Sequence, residues 1–197
     1  MHVNWSALFF FNSILFGVGL AMDAFSVSLA NGLRQPHMGR NRMCLIAGTF
    51  AFFQILMPLL GWICVHTVAD AFQAVQKYIP WIALILLVYI GVSMIREGIG
   101  HRPGDDPPPP VGLRGLLVQG IATSIDALSV GFTIADYTWP FALVEALIIG
   151  AVTFLICMIG LRLGKRFGTI LAGKATVLGG LILIAIGVEI LLKSLLG

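Results

Sequence analysis

The chain has 197 residues, of which 58% are hydrophobic and only 11% are charged. Soluble domains carry about 25% charged residues, so the composition excludes a soluble globular protein and indicates that most of the chain lies in a bilayer. The net charge of +3 is too small to indicate nucleic acid as a partner.

Apolar runs long enough to cross a membrane recur six times along the chain. A helix of about 20 apolar residues spans the hydrocarbon core. The predicted spans are residues 5–30, 44–66, 80–97, 113–135, 140–161 and 176–193. We therefore expect an all-α integral membrane protein with six transmembrane helices.

The positions of Lys and Arg predict how the spans are inserted. The loops after the first, third and fifth spans carry ten cations, whereas the alternate loops and the C-terminus carry two. Because Lys and Arg are retained in cytoplasmic loops, both termini are expected to face outside.

A proline-rich segment, GHRPGDDPPPP, divides the chain near its middle. Four consecutive prolines favour extended polyproline II, so this segment is predicted to be a stiff cytoplasmic linker. The expected organisation is a first three-helix unit (1–99), the linker (100–112) and a second three-helix unit (113–197), all within one membrane domain.

The two halves contain matching blocks in the same order. Residues 22–30 and 125–133 share D-A-x-S-V, and residues 87–95 and 183–191 share I-G-V, whereas the second and fifth spans do not align convincingly. Three spans per half is an odd number, so the second copy must enter the membrane from the opposite side. Such inverted-topology repeats are typical of alternating-access transporters, with the substrate near mid-membrane.

Both D-A-x-S-V blocks place a carboxylate inside an apolar run. Asp23 lies about 18 residues into its span and Asp126 about 13, so at about 1.5 Å per residue both fall near mid-depth. A lone carboxylate there costs at least about 2.5–3.5 kcal/mol, and two facing acids also repel each other. A divalent cation between Asp23 and Asp126 would remove both penalties, so these residues are the predicted main metal ligands.

Polar neighbours supply further candidate oxygen ligands. Ser26 and Ser129 stand three residues after the two acids, Thr123 three residues before Asp126, and Gln54 lies in the second span. For the three hydroxyls, ordinary hydrogen bonding between helices is the alternative interpretation.

At these residues the sequence resembles the MntP family of small bacterial manganese exporters, part of the wider LysE-type transporter superfamily. The matching stretches cover nearly the whole chain and include MDAFSVS (22–28), MPLLGW (57–62), MIREG (94–98), ATSIDALSVG (122–131) and LGGLILIAIGV (178–188).

The resemblance implies a hexahelical protein made of two related halves, located in the bacterial inner membrane. It implies Mn²⁺ efflux with Asp23 and Asp126 as the central acids, Mn²⁺ as transported substrate with no cofactor, and a secondary transporter and not an enzyme. The chain differs from the family pattern at Gln54, where some members have Glu, and at Thr176, where some have an acid.

Energetics constrain the mechanism. Moving a divalent cation out against an inside-negative potential costs about 4.6 kcal/mol per 100 mV, and the sequence has no nucleotide-binding motif. We therefore expect proton-coupled exchange, with the two acids returning protonated after releasing the metal. Protons and the lipid bilayer are the further expected partners, and a homodimer is an open alternative to the monomer.

Three other interpretations remain open. The same fold could export another divalent ion, such as Fe²⁺ or Cd²⁺, or a small cationic metabolite. A membrane thiol–disulfide conduit would need a cysteine pair near the repeat axis, where this chain has Asp; Cys44, Cys64 and Cys157 fall in other apolar runs. A non-transporting structural protein is the third.

Overall fold

The computed structural model describes residues 7–67, 79–100, 111–171 and 174–196, and every regular element in these ranges is a helix. In chain order the helices are α1 (Ala7–Arg34), α2 (Arg40–Thr67), α3 (Ile79–Gly100), α4 (Leu113–Thr123), α5 (Ile125–Thr133), α6 (Trp139–Leu171) and α7 (Lys174–Leu196). The prediction of an all-α membrane protein is confirmed.

Three helical stretches are long and apolar enough to cross a membrane: Ala7–Arg34, Arg40–Cys64 and Trp139–Gly168. Helices α4 and α5 pass the same test together, as a bent pair. Helices α3 and α7 coincide with the third and sixth predicted spans, and their described apolar stretches are shorter. The count of six spans and their direction of insertion stay predictions. Residues 101–110, most of the proline-rich linker, lie outside the described residues.

The fourth predicted span, 113–135, is not one straight helix, because it breaks at Ser124 and bends by 45°. Two consecutive hydroxyls bond back to the preceding turn: Thr123 donates to Gln119 O at 2.9 Å, and Ser124 to Gly120 O at 2.8 Å. Such bonds compete with the helical ladder and bend helices. As a result, Asp126 lies in the first turn of a new helix, α5.

Glycines set the packing of α1 against α6, which run parallel. Gly17 meets Val152 in the first half of α1, and Gly32 meets Gly164 near its end. A Cβ on Gly32 would lie 2.6 Å from Leu161 O and 3.0 Å from Gly164 Cα. Small residues at such crossings allow the backbones to approach closely, so no larger side chain fits here without separating the helices.

Helix α2 packs on α5 in the same way as α6 packs on α1. A Cβ on Gly160 of α6 would lie 2.8 Å from Phe25 O, and a Cβ on Gly61 of α2 would overlap Leu128 O. Phe25 and Leu128 are the third residues of the two D-A-x-S-V blocks. The structure therefore gives the second and fifth predicted spans a common register that their sequences do not reveal.

Helices α3 and α7 form a close antiparallel pair. A Cβ on Gly91 would lie 2.7 Å from Gly180 O and equally near the Ile184 side chain, whereas one on Gly180 would approach Ile95. Helix α7 also reaches α1, since a Cβ on Gly179 would lie 3.0 Å from Ala30 O.

One end of the bundle is cationic, and we call it the basic end. Arg42, at the start of α2, donates a hydrogen bond to Val111 O just before α4. Lys165 of α6 donates to Met38 O in the link between α1 and α2. These bonds bring segments from both halves of the chain together at this end.

The opposite end carries aromatic side chains. Trp62 of α2 donates from Nε1 to Tyr137 O at 2.9 Å, and its ring lies 5.7 Å from that of Trp139. The ring of Phe9 lies 5.5 Å from that of Phe141. Tryptophan and tyrosine concentrate at membrane interfaces, so this end resembles an interfacial belt.

The outward surfaces of the bundle are apolar, as a bilayer requires. Leu8, Leu15 and Leu155 are each more than 60% exposed, whereas Ile46 and Phe50 are fully buried. Large exposed aliphatic side chains would be unfavourable in water, but lipid tails solvate them.

Candidate cation site

The first predicted ligand, Asp23, is buried in α1 with only 9% of its surface exposed. Its neighbour Ser26 is half-buried and donates its hydroxyl hydrogen to Met22 O at 3.0 Å. Because that donation uses the proton, the lone pairs of the Ser26 oxygen remain available as acceptors.

The second predicted ligand, Asp126, is exposed, in the first turn of α5. Its Oδ1 accepts a hydrogen bond of 2.9 Å from the Ala127 amide. A carboxylate at a helix N-terminus is stabilised by the unpaired N–H groups and the helix dipole. The break at Ser124 therefore gives this acid a favourable setting that an unbroken helix would not provide. Ser129 is also exposed.

The structure brings the segments around the two acids into one region. Ala24 and Ala122 belong to one buried cluster, with Ile125 packed against it. Leu20 and Ala127 belong to a second one. A shared metal between the two carboxylates themselves stays a prediction.

Gln54 lies beside this region with its amide held in one orientation. Its side chain is fully buried, and Nε2 donates to Leu20 O at 3.0 Å, one turn before Asp23. The other end, Oε1, is buried without a hydrogen-bond partner. An orphaned amide oxygen inside a membrane protein costs free energy, and a bound cation would satisfy it.

Thr123 is buried as well, at 1% exposure. Its hydroxyl donates to Gln119 O in the preceding turn of the same helix, and its oxygen retains lone pairs for a ligand. Among the six predicted ligands, Asp23, Gln54 and Thr123 are buried, and Ser26 is half-buried.

A buried amide pair was not predicted. Asn31 Nδ2 of α1 donates to Gln119 Oε1 of α4 at 2.8 Å, and both side chains are at most 1% exposed. The remaining atoms, Asn31 Oδ1 and Gln119 Nε2, are buried without partners. The available signal was polarity: Asn31 and Gln119 are amides within or at the edge of predicted apolar spans, eight residues after Asp23 and seven before Asp126.

The sequence reasoning also missed Glu145, an acid inside the fifth predicted span. It is 1% exposed, and its Oε2 has no hydrogen-bond partner. Its charge reaches Tyr137 in the link between α5 and α6. Burial raises the pKa of the Tyr137 phenol, and the negative charge of Glu145 adds to the rise. A count of acids within every predicted span would have found it.

The chemistry of the described residues favours oxygen ligands. Within the ranges that the structure covers, no three or more His, Cys, Asp or Glu side chains are grouped closely enough to hold a metal ion. The three cysteines are free thiols on α2 and α6. Carboxylate, amide and hydroxyl oxygens suit Mg²⁺, Ca²⁺ and Mn²⁺, whereas thiolates select softer ions.

Comparisons with known proteins identify relatives along nearly the whole chain. A family model described as "Mntp: Putative manganese efflux pump" matches residues 37–191. Curated relatives named "Putative manganese efflux pump MntP" are 38% identical in Sorangium cellulosum (98% of this chain, 98% of that protein). In Methanobrevibacter smithii the identity is 39% (91% and 95%), and in Methanothermobacter thermautotrophicus it is 40% (92% and 95%). No solved structure matches.

Proposed function

The chain belongs to the MntP family, and we propose that it exports Mn²⁺ from the cytoplasm across the cytoplasmic membrane. The family resemblance read from the sequence is thereby confirmed. The family is one of efflux pumps, so the protein is a transporter and not an enzyme, and Mn²⁺ is its substrate and not a resident cofactor.

The observation that carries the proposal is the pairing of Gln54 with the turn that precedes Asp23. A buried carboxylate and a buried amide oxygen without a partner lie on neighbouring helices. A hard divalent cation would satisfy the amide oxygen and be attracted to the neighbouring carboxylate.

In this proposal the second carboxylate is Asp126, which the other half of the chain contributes. The matched registers of α6 on α1 and of α2 on α5 support an inverted pair of three-helix units. A broken helix at a substrate site is also frequent in transporters built on inverted repeats. Rocking one unit against the other would expose the site to each side in turn.

The two ends of the bundle support the proposed orientation. The basic end would face the cytoplasm, since Lys and Arg concentrate on that side of membrane proteins. The aromatic end, with Trp62 and Trp139, would then lie at the outer interface and both termini outside.

Proton entry is the proposed energy source. Export of a divalent cation costs about 4.6 kcal/mol per 100 mV of inside-negative potential. Asp23 and Asp126 would release the metal outside, take up protons and return in the neutral form, because a protonated carboxyl crosses the apolar interior at lower cost.

Inside-out membrane vesicles that contain a Mn²⁺-quenched dye test the proposal. Wild-type protein should admit Mn²⁺ into the lumen, faster when the lumen is acidic, and a protonophore should remove that acceleration. Asp23→Asn and Asp126→Asn should abolish uptake. Asp136→Asn, which alters an exposed acid in the turn after α5, is the matched control.

Normal uptake by the double Asn variant would refute the metal-binding role of the two acids. Uptake that is independent of the proton gradient but still requires both acids would refute only the coupling to proton entry. Competition with Fe²⁺ and Cd²⁺ in the same vesicles decides metal preference.

A further inference from the structure

A pocket of about 770 Å³ opens at the basic end between α2 and α6. Its lining includes four cationic side chains and two methionines. The cations are Arg40, Arg162, Lys165 and Arg166, and the methionines are Met43 and Met158.

The charge of this pocket is one-sided, because none of its lining residues is acidic. Arg162, Lys165 and Arg166 lie at positions i, i+3 and i+4 of α6 and so share one helix face. Lys165 is fixed by its hydrogen bond to Met38 O. Like charges on one face repel, and a bound anion would relieve that repulsion.

The depth of the pocket matches the level of lipid headgroups. Arg162 stands 23 residues after Trp139, the first residue of α6. At about 1.5 Å per residue that separation is roughly 35 Å, slightly more than the hydrocarbon core of about 30 Å. With Trp139 at one interface, the cations reach the headgroup layer of the other.

The helix surface leading to the pocket suits acyl chains. Leu155 and Ile159 precede Arg162 on α6 and are 62% and 50% exposed, and Leu163 follows it at 38%. On the α2 side, Leu45 is 45% exposed. A ligand with an anionic headgroup and two apolar chains would therefore place the headgroup in the pocket and the chains along this apolar surface.

We propose that this pocket binds the phosphate headgroup of an anionic phospholipid from the leaflet at the basic end. Arg162 and Arg166 contact the phosphate oxygens, Arg40 closes the α2 side, and the acyl chains follow the exposed leucines. Basic pockets between helices at this membrane face are a general mode of anionic lipid recognition. The proposal does not depend on which ion the protein transports.

The test is a thermal-unfolding titration of the full chain in a neutral detergent. Phosphatidylglycerol, phosphatidylcholine and sodium phosphate are added separately, each in large excess, since a ligand bound by the folded state raises Tm. Phosphatidylglycerol is expected to raise the wild-type Tm by several degrees, and the other two are expected to leave it unchanged.

The decisive variant is the double substitution Arg162→Gln with Arg166→Gln, which should lose most of that shift. Arg96→Gln with Arg114→Gln is the matched control, because it removes the same charge from two exposed arginines on α3 and α4 that do not line the pocket. The control should keep the wild-type shift.

Equal loss of the shift in both double variants would overturn the proposal in favour of general electrostatic attraction. An equal shift with sodium phosphate would overturn it in favour of a soluble anion. If the pocket double variant does not fold, the single substitutions Arg40→Gln and Arg162→Gln decide, since each removes one cation that lines the pocket. An unchanged shift in both refutes the site, and a reduced shift supports it.

Discussion

Asn31 and Gln119 form a buried hydrogen bond of 2.8 Å that joins the first helix of one half of the chain to the first helix of the other. Each amide keeps one unpaired group, Asn31 Oδ1 and Gln119 Nε2. The bond lies between the acid-bearing segments and the basic end, because Asn31 is three residues before the end of α1 and Gln119 is in the second turn of α4. It therefore ties the two halves together on one side of the candidate site.

A double-mutant cycle on this pair should detect coupling. Asn31→Ala and Gln119→Ala are each expected to lower the stability in detergent, and the double variant less than their sum. Interhelical hydrogen bonds in membrane proteins contribute about 0.6 kcal/mol on average and up to about 1.7 kcal/mol. Thr133→Val, an exposed hydroxyl on α5, should have almost no effect. Strict additivity would show that the bond contributes nothing to stability.

Gln54 should control the affinity for the metal. Gln54→Leu keeps the approximate volume but removes the amide oxygen, so the KM for Mn²⁺ should rise while the Tm changes little. Gln54→Glu adds a carboxylate and should bind Mn²⁺ more tightly and release it more slowly. Transport kinetics and calorimetric Mn²⁺ titration measure both effects.

The control for Gln54 is Thr49→Val on the same helix, because that hydroxyl donates to Leu45 O in the preceding turn of its own helix. Wild-type Mn²⁺ affinity in Gln54→Leu would exclude the amide from the site.

Glu145 presents a separate test of buried charge. Glu145→Gln removes a fully buried carboxylate at nearly constant shape, so the Tm should stay constant or rise, whereas Glu145→Lys should lower it strongly. Asp136→Asn, an exposed acid, is the matched substitution. If Glu145→Gln instead lowers the Tm by several degrees, the carboxylate is charged and paired in the folded state.

The close contact between α2 and α5 should not tolerate a methyl group at Gly61. Gly61→Ala would place a Cβ against Leu128 O and 3.0 Å from Gly131 Cα, both backbone atoms, and such overpacking costs about 1–3 kcal/mol. Gly48→Ala, on the same helix, meets nothing within 4 Å and should be neutral or slightly stabilising. Equal Tm values for the two variants would show that the helices separate freely.

Part of the candidate site could be predicted from polar residues that interrupt apolar runs. Asp23 and Gln54 stand out because a polar residue within an apolar run has few structural explanations. Glu145 offers the same signal and was overlooked. The bond between Asn31 and Gln119 could not be predicted from the sequence, because it joins residues 88 positions apart. Such a bond depends on which helices become neighbours, and hydropathy carries no information on that.

Composition and patterning by themselves determined that this chain is an all-helical membrane protein with a duplicated acidic motif, because hydrophobicity and periodicity are local properties of the sequence. Only the tertiary structure decided that the fourth span breaks at Ser124, since consecutive back-bonding hydroxyls become visible only in three dimensions. It also decided that α2 and α6 pack in matching registers, through close backbone approaches at Gly61 and Gly160. Those contacts depend on shape complementarity between distant segments, which neither segment specifies alone.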